Sequence, residues 1–479
     1  MTTSCPEKAR KQPGFTHALL TLAAIIGIIS IGLFFLQTSL HSLLIICILV
    51  ASLSAWRLGY NFRAIRQAMN AGISDALSAI YIFILIGVLI AAFIDSGTLA
   101  TLIYYGIEFV QPAIFLPAGM ILCSFMSIAT GTSWGTVGTV GVVLMSIGTT
   151  MGVPAPIIAG MIISGACFGD KMSPMSDTTN LSAMTSRTNL YSHISSMLYT
   201  TGPTYILALI TFTLISLGYA DSQIPTAELS SLQDALTAHF NINVLTLLPI
   251  VIMLVLSVLK VAAEPSMMAA SITAVIIAVL VQDQSFTSVL NSLYSGGNIQ
   301  TNHESLDLLL GRGGIASMMW TLSLSLIALA LGGILERCQF LKVLITAILS
   351  RIKHGASLVA TTIIACFIGN VTMGEAYMSI ILGGQLFGKA YDEKGIDRRV
   401  MSRSLEEGAT LTTALIPWTT GGAFFASTLG VSVLDYAPWA LLNWINPLLS
   451  ILFAYLGVAL FRSAKKTTVV DKAPVAATH

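Results

Sequence analysis

Charge is what this sequence has least of. Only 9% of its 479 residues are Asp, Glu, Lys or Arg, while 55% are hydrophobic and mean hydropathy is +0.84. Soluble domains carry roughly 25% charged residues, so a soluble core is excluded. Repeated apolar runs of about 20 residues, the length that spans a bilayer, indicate an all-α polytopic membrane protein. Net charge is +1, which leaves no global field to attract nucleic acid. The six cysteines stand at 5, 47, 123, 167, 338 and 366 with no CxxC pair, and they read as small apolar packing residues rather than disulfides or metal ligands. No GxxxxGK[ST] loop is present to hold a driving nucleotide. The histidines make no HExxH pair, and no GxSxG elbow appears. The signatures of enzyme chemistry and of ATP-driven work are therefore missing; an ion gradient is the expected source of work, and no cofactor is called for.

Apolar helical runs number about 14 between residues 15 and 461, with 98–110 and 339–350 expected along the interface. The first, about 15–36, is too long for a signal-peptide core and reads as a retained helix. Lys and Arg in short loops give orientation. Lys8, Arg10 and Lys11 put the N-terminus in the cytoplasm, and Arg57, Arg63 and Arg66 mark the loop after the second run. These two marks read as conflicting, with one of the two segments expected to stop short of a crossing. The loop 389–403 and the tail after Arg462 are basic and cytoplasmic; 219–241 and 283–313 read as external. The resulting division is a tail (1–14), N-terminal spans (15–73), a first repeat (74–218), an external loop (219–241), connecting spans and loop (242–313), a second repeat (314–461) and a cytoplasmic tail (462–479).

A fixed offset of 243 residues, as from Gly131 to Gly374, also pairs Cys123 with Cys366, Gly152 with Gly395, Gly165-Ala166 with Gly408-Ala409, and Pro174 with Pro417. The loop 146–156 is uncharged while its partner 389–399 is strongly basic, so the two face opposite sides. Inverted-topology repeats with re-entrant hairpins and broken helices are expected, with a site at their interface near the midplane.

Four polar interruptions carry the candidate chemistry. Thr130-Gly-Thr132-Ser133-Trp134-Gly-Thr136 reads as a hairpin tip exposing backbone groups to a ligand, or as a small-residue packing stretch. Asp170-Lys171, followed by Ser176-Asp177-Thr178-Thr179-Asn180, offers hard oxygens suited to small hard cations, against a solvated helix end for Asp170 and Lys171. Asn370-Val-Thr372-Met-Gly374-Glu375 sits at the repeat position of the first tip, and Glu375 has no basic residue close in sequence. Glu406-Glu407 and Pro417-Trp418-Thr419-Thr420-Gly-Gly422 mark the fourth break, with Glu406 and Glu407 expected to pair in part with Arg399 or Arg403. Ionisable residues within a span are functional candidates by default. Asp95 reads as solvated at a membrane surface.

Gly169-Asp-Lys-Met-Ser-Pro-Met-Ser-Asp-Thr-Thr-Asn180, with Thr130-Gly-Thr-Ser-Trp-Gly135 upstream and Gly374-Glu375 and Pro417-Trp418 downstream, resembles the NhaC-type sodium/proton antiporter family of the ion transporter superfamily, from about residue 15 to 460. The resemblance implies a bacterial cytoplasmic-membrane protein that exchanges Na+ for H+. Relatives in this family also carry dicarboxylates, lactate or amino acids, so the motif speaks for fold and cation coupling more than for cargo.

The expected activity is extrusion of Na+, or Li+, driven by H+ entry. Asp177 and Glu375 are the expected carboxylates, binding cation or proton in competition. Asp170 and the oxygens of Thr132, Ser133, Ser176, Thr178, Thr179, Asn180, Asn370, Thr372, Thr419 and Thr420 would surround them. The rival is an ion-coupled carrier of an organic anion or amino acid, with Trp134, Tyr377 and Trp418 shaping the pocket. A membrane-embedded sensor or enzyme is the remaining class, and no soluble domain supports it. Na+, H+, the lipid bilayer, a small organic solute and a second copy in a homodimer complete the expected partners.

Overall fold

The computed structural model describes residues 11–461 other than 75–76, 110–111, 175, 220–225, 260, 262, 298–309, 312, 350–351 and 353. The described chain is all α, with no strand. An N-terminal group comprises α1 (Phe15–Ser30), α2 (Leu40–Arg57) and α3 (Phe62–Ser74). The first half follows with α4 (Leu77–Asp95), α5 (Thr98–Phe109), α6 (Pro112–Thr130), α7 (Ser133–Thr136), α8 (Val142–Thr150), α9 (Ala155–Met172), α10 (Asp177–Ser186) and α11 (Leu190–Leu217). The connecting helices among the described residues are α12 (Thr226–His239), α13 (Leu248–Val258), α14 (Ala263–Leu280) and α15 (Phe286–Ser295). The second half holds α16 (Gly314–Arg337), α17 (Phe340–Leu349), α18 (Gly355–Met373), α19 (Ala376–Glu393), α20 (Arg398–Thr413), α21 (Thr420–Leu429), α22 (Val433–Tyr436) and α23 (Leu441–Tyr455).

Five of these, α1, α2, α11, α16 and α18, are long and apolar enough to cross a membrane alone, and two bent pairs raise the number to seven. The sequence suggested about 14 segments; α4 and α6, 19 residues each, are described well enough for this test only over Ile84–Asp95 and Pro112–Ile128. The interior runs are divided at polar breaks into shorter pieces. Burial separates centre from rim: the apolar windows of α1, α2 and α11 are 33% buried, whereas those of α16 and α18 are 67% and 61% buried. The first three therefore face lipid.

Local chemistry makes the breaks. α6 ends at Gly131 (φ +70°) and α18 at Gly374 (φ +72°), left-handed conformations that suit glycine. The next residues, Thr132 (φ −148°, ψ 125°) and Glu375 (φ −145°, ψ 131°), are extended and cap the helices that restart. The second break in each half follows a proline, Pro174 or Pro417, which cannot continue a helix. Ser176 and Thr419 then cap α10 and α21. Those two helices end in left-handed residues, Arg187 (φ +56°) and Gly430 (φ +69°), and Asn189 and Ser432 cap the next ones. Each pair keeps the offset that links Gly131 to Gly374.

The offset extends to packing. A Cβ on Gly165 would collide with the Met120 carbonyl and Cys123 on α6; on Gly408 it would collide with the Ile363 carbonyl and Cys366 on α18. Close backbone approach at small residues is how helices associate where lipid removes the hydrophobic drive. All five described cysteines are buried, and none forms a disulfide among the described residues.

Several expectations change. The Lys11 backbone N–H donates to the Leu58 carbonyl at 3.1 Å, so α1 and α2 leave and return to one side. Both are long enough to cross, and two crossings make the two basic marks agree rather than conflict. Asp95 is 4% exposed and accepts a hydrogen bond from Ser292, so it is not solvated. The stretch read as the loop 219–241 contains α12. Residues 1–10, 462–479 and Cys5 lie outside the described residues.

Candidate functional site

Glu375, which caps α19, meets Thr420 at the start of α21. Glu375 Oε1 accepts from the Ala376 and Tyr377 backbone N–H groups at 2.9 and 3.4 Å, and Thr420 donates to Oε2 at 2.5 Å. The Thr420 N–H also bonds the Gly374 carbonyl at 2.9 Å, and the Trp418 indole donates to the Val371 carbonyl at 2.8 Å. The two breaks of the second half are thereby tied together. In the first half Ser133, on α7, donates to Asp170 Oδ2 at 2.7 Å, and the Ser176 side chain is also directed at this carboxylate. Trp134 stacks on Phe424 of α21 with centroids 4.6 Å apart and planes at 10°, which joins the first-half tip to the second half.

Both inner carboxylates are buried, Asp170 at 7% and Glu375 at 2% exposure. Neither has an ion-pair partner among the described residues. The Tyr377 hydroxyl lies within electrostatic range of four carboxylates, those of Asp177, Glu375, Asp170 and Glu264. Asp177 is exposed and Glu264, on the first turn of α14, is half-buried. The two interact with each other. Two buried acids and two more accessible ones therefore lie within electrostatic range of Tyr377.

A second cluster lies on the other side of α10. Thr178 and Thr179 donate to Glu406 Oε1 at 3.4 and 2.9 Å. His193 Nε2 stands 2.6 Å from Glu406 Oε2, and Ser402 is 2.6 Å from His193 Nδ1. Glu407 accepts from Thr200 at 2.5 Å and pairs with Lys171 at 3.8 Å and Arg403 at 3.9 Å. Every charged side chain here is fully buried. Asp170 and Lys171 are thus not a solvated helix end. Of the two partners expected for these glutamates, Arg403 is the one found.

The remaining candidates divide by what their oxygens already do. Thr132 and Thr419 are helix caps; Thr419 also donates to the Thr413 carbonyl at 2.5 Å. Asn180 donates to the Pro174 and Ser176 carbonyls at 2.9 and 2.8 Å and closes the break. Thr372 bonds back to its own helix at Ile368. Asn370 donates to the Ala409 carbonyl at 2.6 Å, and its buried Oδ1 has no partner among the described residues. Ser127, its counterpart by the offset, also keeps a buried oxygen unpartnered. Glu264 and His193 carried no sequence signal as site residues. Glu264 precedes Pro265 at a helix start in a connecting segment, and that position was the one cue available.

Glu375 is held in place by Gly374. A Cβ there would sit 3.1 Å from the Ala328 Cβ, in a left-handed residue. Gly374→Ala is expected to cost about 1–2 kcal/mol and to misplace the cap. Thermal unfolding in detergent should report the first effect and transport the second; unchanged values in both would contradict this role.

The family model for Na+/H+ antiporters matches residues 165–458. The chain is 35% identical over 460 residues to the malate-2H(+)/Na(+)-lactate antiporter of Bacillus subtilis, spanning 96% of this chain and 98% of the relative. It is 37% identical over 450 residues to the Na(+)/H(+) antiporter NhaC of Alkalihalophilus pseudofirmus, spanning 93% and 96%. Identity to the arginine/ornithine antiporter ArcD of Halobacterium salinarum is 32% over 470 residues, spanning 98% and 97%.

Proposed function

Because the chain belongs to the Na+/H+ antiporter family, we propose that it exchanges Na+, with Li+ as an alternative cargo, for H+ across a bacterial cytoplasmic membrane. The observation that carries this reading is the pair of buried carboxylates, one from each half, with no cationic partner among the described residues. An unpaired buried carboxylate is costly. Each therefore calls for a proton or a cation, and both cannot occupy one carboxylate. Binding in competition gives obligatory exchange. Asp170 and Glu375 form the inner site, held by Ser133 and Thr420, while Asp177 and Glu264 form its mouth. The halves act as inverted repeats, and one moves against the other to alternate access. The carboxylate and hydroxyl trade places between halves: Thr132 corresponds to Glu375, and Asp177 to Thr420.

Proteoliposomes test the reading. Na+ added outside should dissipate a preset pH gradient without any organic solute. A strict requirement for such a solute would overturn it. The organic alternative is weighed by the acids near Tyr377. Four carboxylates surround Tyr377, and Lys171 and Arg403 are turned to Glu407. These acids favour a cationic amino acid, as in the name of the ArcD relative, while the name of the Bacillus subtilis relative points to malate and lactate.

Glu264 at the mouth should concentrate cations by its field. Glu264→Gln is expected to raise the apparent KM for Na+ about 3- to 10-fold with little change in maximal rate, an effect that shrinks with ionic strength. Na+ titrations at two salt levels would show it. A lowered maximal rate with unchanged KM would place Glu264 elsewhere in the cycle.

A further inference from the structure

Between Glu7 and Asp75 the chain carries no acid, yet it holds Lys8, Arg10, Lys11, Arg57, Arg63 and Arg66. The fold gathers the described members of this set. The Lys11 backbone bonds Leu58, so the N-terminal segment lies beside Arg57 at the end of α2. Asn61 then caps the first turn of α3 through the Ala64 N–H at 2.8 Å. α3 buries Ile65, Ala68 and Gly72. Gly72 and Ala68 lie against Gly333 of α16, which leaves Arg63 and Arg66 on the open side. Lys11, Arg57, Arg63 and Arg66 are all exposed. None has an ion-pair partner among the described residues. Arg337, one turn beyond Gly333, is exposed as well.

The patch is not purely ionic. Trp56 is 67% and Phe62 is 76% exposed, and the Arg66 guanidinium lies 5.8 Å from the Phe62 ring centroid. Both aromatics border α2, which faces lipid over most of its length. Exposed aromatic rings beside basic side chains at the end of a lipid-facing span match the boundary of a bilayer, where rings sit at headgroup depth and cations meet phosphate. A soluble anion would use the charge but not the rings.

We propose that Lys11, Arg57, Arg63 and Arg66, with Trp56 and Phe62, form a binding surface for anionic phospholipid headgroups. Each basic side chain near an anionic membrane surface contributes on the order of fivefold in affinity. Neutralising three of them is expected to lower retention of anionic lipid at least about tenfold.

The test uses the full chain purified in detergent, stripped of lipid and mixed with phosphatidylglycerol or phosphatidylcholine. Native mass spectrometry counts the retained copies. The wild type should keep phosphatidylglycerol in preference to phosphatidylcholine, and millimolar inorganic phosphate should not displace it. Arg57→Gln/Arg63→Gln/Arg66→Gln should lose that preference with an unchanged Tm in the absence of lipid. Lys389→Gln/Lys394→Gln, in the other basic loop, should keep it. Equal retention of the two lipids by the wild type would overturn the proposal. So would an undiminished preference in the triple variant, an equal loss in the Lys389/Lys394 variant, or displacement by free phosphate.

Discussion

Glu375→Gln is expected to abolish Na+-driven proton movement in proteoliposomes while leaving the fold intact. Glutamine keeps the shape and the hydrogen bonds: its carbonyl still accepts from the Ala376 N–H, and its amide can donate to Thr420. What it lacks is a charge that a proton or Na+ can neutralise. The initial rate should fall on the order of 100-fold, equivalent to about 2.7 kcal/mol in the barrier, with stability changed by less than about 1.5 kcal/mol. Thr420→Val makes the contrast. It removes the 2.5 Å donor to Oε2 and leaves that buried oxygen unsatisfied, at a cost of about 1–3 kcal/mol, yet it keeps the carboxylate and should keep slowed exchange. Wild-type rates in Glu375→Gln would remove Glu375 from the site. Asp170→Asn is expected to behave like Glu375→Gln, and Asp177→Asn to act more mildly, because Asp170 is buried on Ser133 while Asp177 is exposed.

That ordering of the two aspartates was not legible in the sequence. The hydroxyl run after Asp177 drew attention to it, but α10 turns Thr178 and Thr179 towards Glu406, away from the role expected of them. The breaks themselves were legible because their causes are local: a glycine that can be left-handed, a proline that cannot be helical, and a hydroxyl or carboxylate that caps the next turn. The constant offset was legible for the same reason, and it recurs down to the backbone angles of Thr132 and Glu375. What could not be read were contacts between residues about 200 positions apart. His193 and Glu406 meet across 213 residues, and no periodicity or spacing encodes that meeting.

The buried charge cluster makes the second large prediction, on stability. Lys171, Arg403 and Glu407 are fully buried, and Glu407 is the one acid within 4 Å of either cation among the described residues. Lys171 Nζ makes no hydrogen bond among the described residues, where its charge is balanced by Coulomb attraction to Glu407. Glu407→Gln would leave two buried cations facing an amide, and losing one partner of a buried pair costs about 3–5 kcal/mol. Lys171→Met removes the cation that has no hydrogen bond among the described residues, whereas Arg403 donates to Ser196 and Ala459, and it should cost less. The double variant keeps the net charge of the native cluster, whatever proton His193 holds. It should therefore be more stable than Glu407→Gln alone, with a coupling of about 0.5–3 kcal/mol. Thermal unfolding of the four proteins in one detergent measures the cycle. Additive losses would mean that Lys171 and Glu407 do not sense each other. A Glu407→Gln protein as stable as the wild type would mean that the cluster is hydrated and its charges are met by water.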